Sequence, residues 1–513
     1  MAAIPSDLSD AERQVWEAFR TGDMCDFAGR GVTYSGDWAL PRGDLGADWG
    51  PERTIRAEFL ARLLLDGPDP VAGRTPGLHL TGARIVGDLR LRGARVDAYV
   101  DLRGCRFENR IDLSDATTST LRIIGSVLNG VRARRARVDG DLCLTTCRVR
   151  EGVLLTDAHV ANDVVLNGSR VRPMRDGDAV SADGIQVTGD FSAHGPFHAL
   201  GTVRMRSARV GGRVTFYRAR LDAPDGLDSR GHSNLAFDGA GMNVEQSLHM
   251  SDRFTATGSI RLIDARFGDA YILDHAAVLG RETDTLALWR ATGRTLSIVV
   301  EPTPRGRVLL SGAQWGALTD VPGTWPEEPG RMAIGGMTYA VLRSTRPMDL
   351  AQRLRWLAAA TPDYEPQPYE QLALAYRASG QDEEARSVLL AKQRRNRETL
   401  RVPGRLWGWV QDVTIGYGYR PARALAWLVA LIAIGTTVFG LDRPSPLKAD
   451  EAPHWNAFFY TIDLLLPVLS LGQESAWNPG GWTQWVAYVL VMLGWILAGA
   501  AAAGATRVLN RGA

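Results

Sequence analysis

The chain has 513 residues, of which 45% are hydrophobic and 23% are charged, and its net charge is +2. This length predicts two or more domains, and the composition excludes a disordered or purely fibrous protein. Because the net charge is close to zero, no general attraction to nucleic acid follows, and we expect no nucleic-acid partner.

Residues 1–77 are predicted to form an N-terminal helical cap. Ser9-Asp10-Ala11-Glu12 fits the S-x-x-E capping box and opens a helix that reaches about Phe19. Residues 52–67 are amphipathic and stop at a glycine directly before a repeat begins. No apolar secretory signal opens the sequence, and no C-x-x-C pair is present, which fits a reducing, cytoplasmic setting for most of the chain.

A repeat of eleven residues occupies the next part of the chain, which we assign to residues 78–345. Each unit carries an L-x-L pair, such as Leu89/Leu91, which places two apolar side chains on one face of a short strand. One small residue recurs per unit, at Ala83, Ala94, Cys105, Ala116, Ala136, Cys147, Ala158 and Ser169. Strands this short bury a core only when stacked, so the pattern predicts a mainly β protein with a pentapeptide-like β-solenoid of about 22 residues per coil.

An arginine follows most of these small residues. Stacked arginines could bind phosphate, acidic lipid or an acidic protein, and the candidate surface for an anionic partner comprises Arg84, Arg95, Arg106, Arg137, Arg148 and Arg170. The alternative is that they pair with nearby aspartates such as Asp88 and Asp101, as surface arginines commonly do. The four cysteines are expected to be buried structural thiols, and no metal or cofactor is expected.

The period becomes helical after the repeat. Residues 346–402 are predicted to form a capping hairpin that is similar to a single tetratricopeptide (TPR) unit, with Gly380 at its turn. Residues 403–423 then form a juxtamembrane interfacial segment rich in tryptophan and tyrosine. Thr414–Gly418 matches a potassium-channel filter in sequence, but it precedes the first apolar stretch, so we interpret it as a bend at the membrane surface.

Residues 424–513 are predicted to form a transmembrane hairpin. Residues 424–441 and 485–505 are uncharged and long enough to span a bilayer. Eight Lys/Arg against two acids in residues 392–423, and two further arginines at the C terminus, place both ends of the hairpin in the cytoplasm. Residues 456–474 are then a re-entrant or interfacial segment and not a third span, because an even number of crossings is required. The predicted location is the cell membrane, integral, with the N-terminal domain and the C terminus cytoplasmic.

The re-entrant segment carries the candidate functional residues Asp463, Pro467, Gly472 and Glu474. An ionisable residue at membrane depth indicates a functional site, so Asp463 comes first among them. The alternative is that Asp463 lies at the headgroup level and caps a short helix.

Three motifs carry a resemblance to a known group of proteins. They are PYEQLALAYRASGQDEEARSVLLAKQRR, GYGYRPARALAW and FFYTIDLLLPVLSLGQESAW. Together with the repeat they resemble a group of bacterial, mostly actinobacterial, membrane-anchored proteins with a pentapeptide-like β-solenoid. Members are often labelled membrane-associated oxidoreductases, and the resemblance implies that activity without assigning any residue to it.

The sequence therefore predicts a membrane-tethered cytoplasmic scaffold or sensor without enzymatic activity. We expect membrane lipids and a protein as its partners, and the hairpin could also form a homo-oligomer. One alternative is an oligomeric pore that uses residues 456–474 as its loop. A second alternative is a membrane-associated oxidoreductase.

Overall fold

The computed structural model describes residues 7–28, 45–223, 234–279, 284–344, 346, 348–419, 421–448, 453–466 and 470–509. The chain divides into two compact units, Met1–Asp363 and Tyr364–Ala513. The first is a parallel β-solenoid of about 11 coils with helices at both ends, and the second is helical.

The N-terminal cap contains two helices, α1 (Asp10–Thr21) and α2 (Ala57–Leu65). The predicted capping box is present, because Ser9 and Glu12 exchange hydrogen bonds between side chain and backbone. Leu60 and Leu64 of α2 contact the apolar side chains of the first coils, so α2 covers the N-terminal end of the core. Two short strands from this region also pair in parallel with the first coil.

Each coil of the solenoid consists of four short parallel strands, which define four faces. The first face contains Leu89–Arg90, Ile111–Asp112, Val131–Arg132, Val153–Leu154, Asp178–Ser181, Thr202–Arg204, Leu235–Asp238, Ser259–Arg261, Asp284–Ala287, Arg307–Leu309 and Met332–Ala333. The second contains Arg95–Val96, Thr117–Thr118, Arg137–Val138, His159–Val160, Gln186–Val187 and Arg209–Val210.

The third face contains Met24–Asp26, Gly77–Thr81, Tyr99–Arg103, Leu121–Ile124, Leu142–Thr145, Val164–Val165, Phe191–Ser192 and Val214–Thr215. The fourth contains Thr54–Arg56, Arg84–Val86, Arg106–Phe107, Val127–Leu128, Arg148–Val149, Arg170–Val171, His198–Ala199, Arg220–Asp222 and Thr255–Thr257. In the later coils the second and third faces merge into longer strands, which are Asn243–Met250, Arg266–Val278, Thr292–Val300, Gln314–Asp320 and Thr338–Ser344. Arg266–Val278 and Thr292–Val300 also continue onto the fourth face.

The coil length matches the repeat. Leu89 pairs with Ile111 and Val131 pairs with Val153, and each pair is 22 residues apart. The apolar residue of each strand points inward, and the small residue before each arginine is buried, as at Ala83 and Cys105. Small side chains are needed there because the chain turns a corner of the coil against the core. At a strand spacing of about 4.8 Å, the coils form a rod about 50 Å long.

A third helix, α3 (Leu350–Ala360), covers the C-terminal end of the solenoid. Arg353 of α3 donates two hydrogen bonds, of 2.6 and 2.8 Å, to the carboxylate of Asp320 at the end of a strand in the late coils. Both side chains are at most 2% exposed, and the indole of Trp325 donates to the same carboxylate at 2.7 Å. This paired charge fixes α3 on the last coils, because neither ion could remain buried alone.

The second unit contains the remaining helices. These are α4 (Pro366–Ala378), α5 (Asp382–Thr399), α6 (Val402–Ile415), α7 (Pro421–Leu441), α8 (Ala457–Leu465) and α9 (Trp482–Leu509). A 3-10 turn, Gly416–Gly418, joins α6 to α7, and the backbone at Gly416 and Tyr417 is left-handed with φ of 55° and 54°. The filter-like sequence therefore forms a sharp helix-to-helix corner. Within the described residues, α7 and α9 have the length and apolarity needed to cross a membrane.

Candidate functional site

Asp463, Gly472 and Glu474, the candidate residues of the second unit that the structure describes, lie in or near the short helix α8. The Asn456 side chain caps α8 by accepting the amide hydrogens of Phe458 and Phe459 at 3.0 and 3.2 Å. Tyr460, Leu464 and Leu465 point into a buried cluster that includes Phe439 of α7 and Leu490 of α9. The helix therefore packs between the two apolar helices.

Two glycines allow this close packing. A Cβ atom at Gly435 of α7 would lie 2.4 Å from Cγ2 of Thr461, and a Cβ atom at Gly494 of α9 would lie 2.2 Å from the carbonyl oxygen of Leu465. Gly494 is twelve residues into α9, which corresponds to about 18 Å along the helix axis at 1.5 Å per residue. The C-terminal end of α8 thus lies well away from the start of α9.

Both ends of the segment that contains α8 lie close together. Ser445–Pro446, just after α7, pairs in antiparallel fashion with Trp477–Asn478, just before α9. The ring of Trp455 before α8 is 5.0 Å from the ring of Trp477, and the guanidinium of Arg443 lies 4.7 Å from the Trp477 ring centre. The segment that contains α8 therefore begins and ends at the same place in this unit.

Asp463 holds the returning chain in place. Its carboxylate is 4% exposed and accepts hydrogen bonds from three backbone amides, those of Leu471 at 2.7 Å, Gln473 at 2.9 Å and Glu474 at 2.8 Å. Three donors to one carboxylate form a strong, charge-assisted clasp. The carboxylate thus binds a loop of its own chain, a contact that the sequence did not indicate.

The other candidates of this segment have different positions. Gly472 lies inside the clasp with φ of 75°, a left-handed backbone that favours glycine, and the backbone of Glu474 closes the turn. Pro467 lies outside the described residues. Gln473 was not singled out by the sequence, yet its side chain donates to the carbonyl of His454 at 3.1 Å, and its Oε1 is buried without a partner among the described residues.

The six arginines of the solenoid do not form one surface. Arg84, Arg106, Arg148 and Arg170 lie in one row on the fourth face, where Val127 interrupts them. Arg95 and Arg137 lie on the second face, with Thr117 between them. The split follows from the coil, because units eleven residues apart fall on different faces of a 22-residue turn.

The arginines at the ends of the row on the fourth face have partners within the protein. Arg84 forms an ion pair with Glu108, and Arg106 donates to the carbonyl of Leu45 at 3.2 Å. Further along the row, Asp222 pairs with both His198 and Arg220 at 2.7 and 2.9 Å. The predicted aspartate partners are used elsewhere, since Asp88 pairs with Arg90 and Asp101 pairs with Arg103.

The middle of that row is more basic. Arg148 and Arg170 are direct neighbours on adjacent coils, and the backbone hydrogen bond from Arg172 to Val149 brings Arg172 beside Arg150. Neither Arg170 nor Arg172 forms an ion pair with a described residue, and Nε of Arg170 is buried without a hydrogen-bond partner there. Arg170 and Arg172, which flank Val171 on one coil, therefore offer guanidinium groups to an anion. We call these two residues the arginine patch.

The cysteines have the properties of structural thiols. All four are buried and free, and burial raises the pKa of Cys105 and Cys147 to about 12 and of Cys25 and Cys143 to about 11. Because the thiolate is the reactive form, these side chains are poor nucleophiles at neutral pH. Within the part of the chain that the structure describes, no group of three His, Cys, Asp or Glu side chains could hold a metal ion.

Comparisons of the chain with protein-family models, with curated proteins and with solved structures found no match. The resemblance to membrane-anchored β-solenoid proteins stays a prediction from the sequence motifs. Function is therefore inferred from the contacts within the chain.

Proposed function

We propose that this protein is a membrane-anchored β-solenoid whose rod serves as a non-enzymatic binding surface, as in a scaffold or a sensor. The supporting observation is the exposure of α7 and α9. Only 17% of the apolar window Arg423–Leu441 and 28% of the window Trp482–Gly499 are buried within the protein. A core helix of a soluble protein would be mostly buried, so these two helices need an apolar surrounding.

The exposed side chains of this unit favour lipid as that surrounding. They are large and apolar, and include Leu425, Trp427, Val429, Ile434 and Leu441 of α7 and Trp485, Val489, Met492 and Trp495 of α9. Leaving such surface in water is unfavourable by about 25 cal/mol per Å². Tryptophans near the helix ends are typical of the membrane–water interface.

Residues 456–474 form a re-entrant segment in this proposal. The inward course of α8, the return to Trp477 and the clasp at Asp463 support it, because a segment that spans would end on the opposite side. Backbone polar groups near lipid need hydrogen-bond partners, and Asp463 supplies an acceptor to three amides of this irregular loop. The basic excess before α7 supports a cytoplasmic position for the solenoid.

The finer features predicted from the sequence fit the same proposal. A TPR-like hairpin of α4 and α5 is supported by the burial of Leu372, Ala373, Ala385 and Leu389, whereas Tyr376, another predicted packing position, is half-buried. The short strands and small corner residues of the coils are typical of pentapeptide-like repeats. One TPR-like hairpin is too short for an independent array, so we assign it no peptide groove.

The arginine patch is the proposed contact surface of the rod for an acidic protein segment. The test uses the full-length protein in lipid nanodiscs and a fluorescent poly-glutamate peptide. The double variant Arg170→Gln/Arg172→Gln should weaken binding about tenfold, because two charge-assisted hydrogen-bonding groups are lost. The matched control is Arg95→Gln/Arg137→Gln, which removes the same charge from the second face. If both double variants weakened binding of the peptide equally, the arginine patch would not be its specific contact surface.

A pore is the second candidate function, and α8 is the observation that favours it. A short helix followed by a loop between two spanning helices is the plan of a pore-loop channel, and the clasp at Asp463 would fix such a loop. This candidate predicts an oligomer and ion flux in proteoliposomes that Asp463→Ala changes. A monomer that gives no flux would rule it out.

A further inference from the structure

A cluster of charged residues lies where α5, α6 and α7 meet. Arg394 of α5 donates to the carboxylate of Asp412 on α6, with hydrogen bonds of 2.9 Å to each oxygen. Arg397 of α5 donates to the same carboxylate at 3.3 Å, and Arg423 at the start of α7 donates to the Asp412 carbonyl at 3.2 Å. We call these four residues the Asp412 cluster. From the sequence alone, these arginines contributed only to the excess of basic residues before α7.

The cluster has an excess of positive charge. Three guanidinium groups converge on one carboxylate, which is only 12% exposed, whereas Arg394 and Arg423 remain 45% and 38% exposed. Each arginine carries five N–H donors. Arg397 and Arg423 each use one nitrogen in the contacts with Asp412, so most of their donors point elsewhere. These N–H groups are donors that a second anion could accept from.

Tyr417 adds an unused polar group beside these donors. The residue is 5% exposed, and its hydroxyl makes no hydrogen bond of standard geometry with any described residue. A Cβ atom at Gly408 would lie 2.9 Å from this hydroxyl and 3.0 Å from Cδ of Arg397, so the hydroxyl and Arg397 are neighbours. Burial raises the pKa of Tyr417, which keeps the phenol protonated and able to donate. A buried donor without a partner indicates a missing acceptor.

The outer face of α6 is apolar and exposed. Val402, Leu406 and Trp409 recur at intervals of four and three residues, which places them on one side of the helix, and they are 68%, 63% and 59% exposed. At about 100° per residue, Asp412 borders this stripe. An apolar stripe with a basic cluster at its edge, next to a spanning helix, matches the headgroup and acyl regions of one lipid.

We propose that the Asp412 cluster binds the phosphate of an anionic phospholipid, with Arg397, Arg423 and the Tyr417 hydroxyl as donors. Guanidinium groups bind phosphate oxygens in pairs of parallel hydrogen bonds. The acyl chains then lie along the apolar stripe of α6. The charge of the cluster selects an anionic lipid over a zwitterionic one. This inference rests on the proposed membrane insertion, and it names a lipid partner for the corner between α6 and α7.

Native mass spectrometry of the full-length protein tests this site. The detergent-purified protein is titrated with phosphatidylglycerol, with phosphatidylcholine of the same chains, and with inorganic phosphate. We expect tighter binding of phosphatidylglycerol than of phosphatidylcholine. Arg397→Gln/Arg423→Gln should lower the affinity for phosphatidylglycerol about tenfold or more. The matched control Arg377→Gln/Arg386→Gln removes two exposed arginines of α4 and α5 and should change nothing.

Tyr417→Phe separates a lipid contact from a structural role. Arg397 approaches the hydroxyl oxygen, but the O–H has no acceptor among the described residues. Its removal should therefore change the melting temperature without lipid little and weaken phosphatidylglycerol binding about threefold. Equal affinity for the two lipids, an equal effect of the control variant, or inorganic phosphate that displaces phosphatidylglycerol at equal concentration would each overturn the inference. Failure of the protein to insert into liposomes would instead overturn the proposed membrane anchoring.

Discussion

Replacing Asp463 by alanine tests the clasp that holds the returning chain. The substitution removes the acceptor of three backbone hydrogen bonds, from Leu471, Gln473 and Glu474, at 2.7 to 2.9 Å. A hydrogen bond to a charged group contributes about 1.5–3 kcal/mol. The three are not additive, because the amides of exposed residues can find other partners once released. We therefore expect the free energy of opening of this loop to fall by about 3 kcal/mol.

Amide hydrogen exchange of the full-length protein in nanodiscs measures this free energy. A loss of about 3 kcal/mol corresponds to exchange about 100-fold faster in residues 470–475. Exchange in the solenoid should not change, because it belongs to a separate compact unit. The matched control is Asp442→Ala, which removes an exposed acid after α7. Unchanged exchange in the Asp463 variant, or an equal change in the control, would refute the clasp.

Three further predictions concern packing and burial. Asp320→Ala leaves Arg353 buried without its counter-ion and should lower the free energy of unfolding of the solenoid by about 3–5 kcal/mol, measured by denaturant titration; a loss below about 1 kcal/mol would contradict the role of this pair. Gly494→Leu should displace α8 and lower the melting temperature, whereas Gly499→Leu, which meets no atom within 4 Å, should not; equal melting temperatures would refute the close approach. The thiol of Cys147 has its pKa raised from 9.0 to about 12, so the native state retains its proton more tightly than the unfolded state. The contribution of this shift to stability is complete below pH 9 and is lost as the pH rises toward 12. The measurement compares the pH dependence of unfolding of Cys147→Ala with that of the parent protein. Identical pH profiles would contradict the prediction.

The solenoid could be predicted because its signal is periodic. The alternation at Leu89/Leu91 and the eleven-residue spacing are direct consequences of strands that stack in register, and the 22-residue coil follows from them. The distribution of the arginines over different faces could not be predicted from the sequence alone. The sequence shows that Arg84 and Arg95 occupy equivalent repeat positions, but only the path of the coil shows that they lie on different faces.

The sequence predicted which segment carries the candidate site, but not which groups contact Asp463. Asp463 was singled out as an acid in an apolar segment, yet its partners are backbone amides, which have no signature in the sequence. The Asp412 cluster forms where α5, α6 and α7 pack together, and no local sequence pattern predicts this packing. The signal that could have indicated it was a lone aspartate within a strongly basic stretch, since such an acid commonly has several arginines as partners.

The central claim is a membrane anchor with the solenoid in the cytoplasm and a re-entrant segment between the two spans. Labelling of introduced cysteines with a membrane-impermeant maleimide in intact bacteria tests it most directly, because the four native cysteines are buried. We predict that Leu447→Cys and Ser470→Cys react without permeabilisation, and that Arg377→Cys reacts only after it. The account would be contradicted if Ser470→Cys, like Arg377→Cys, reacted only after permeabilisation. Release of the protein from membranes by alkaline carbonate would also contradict it.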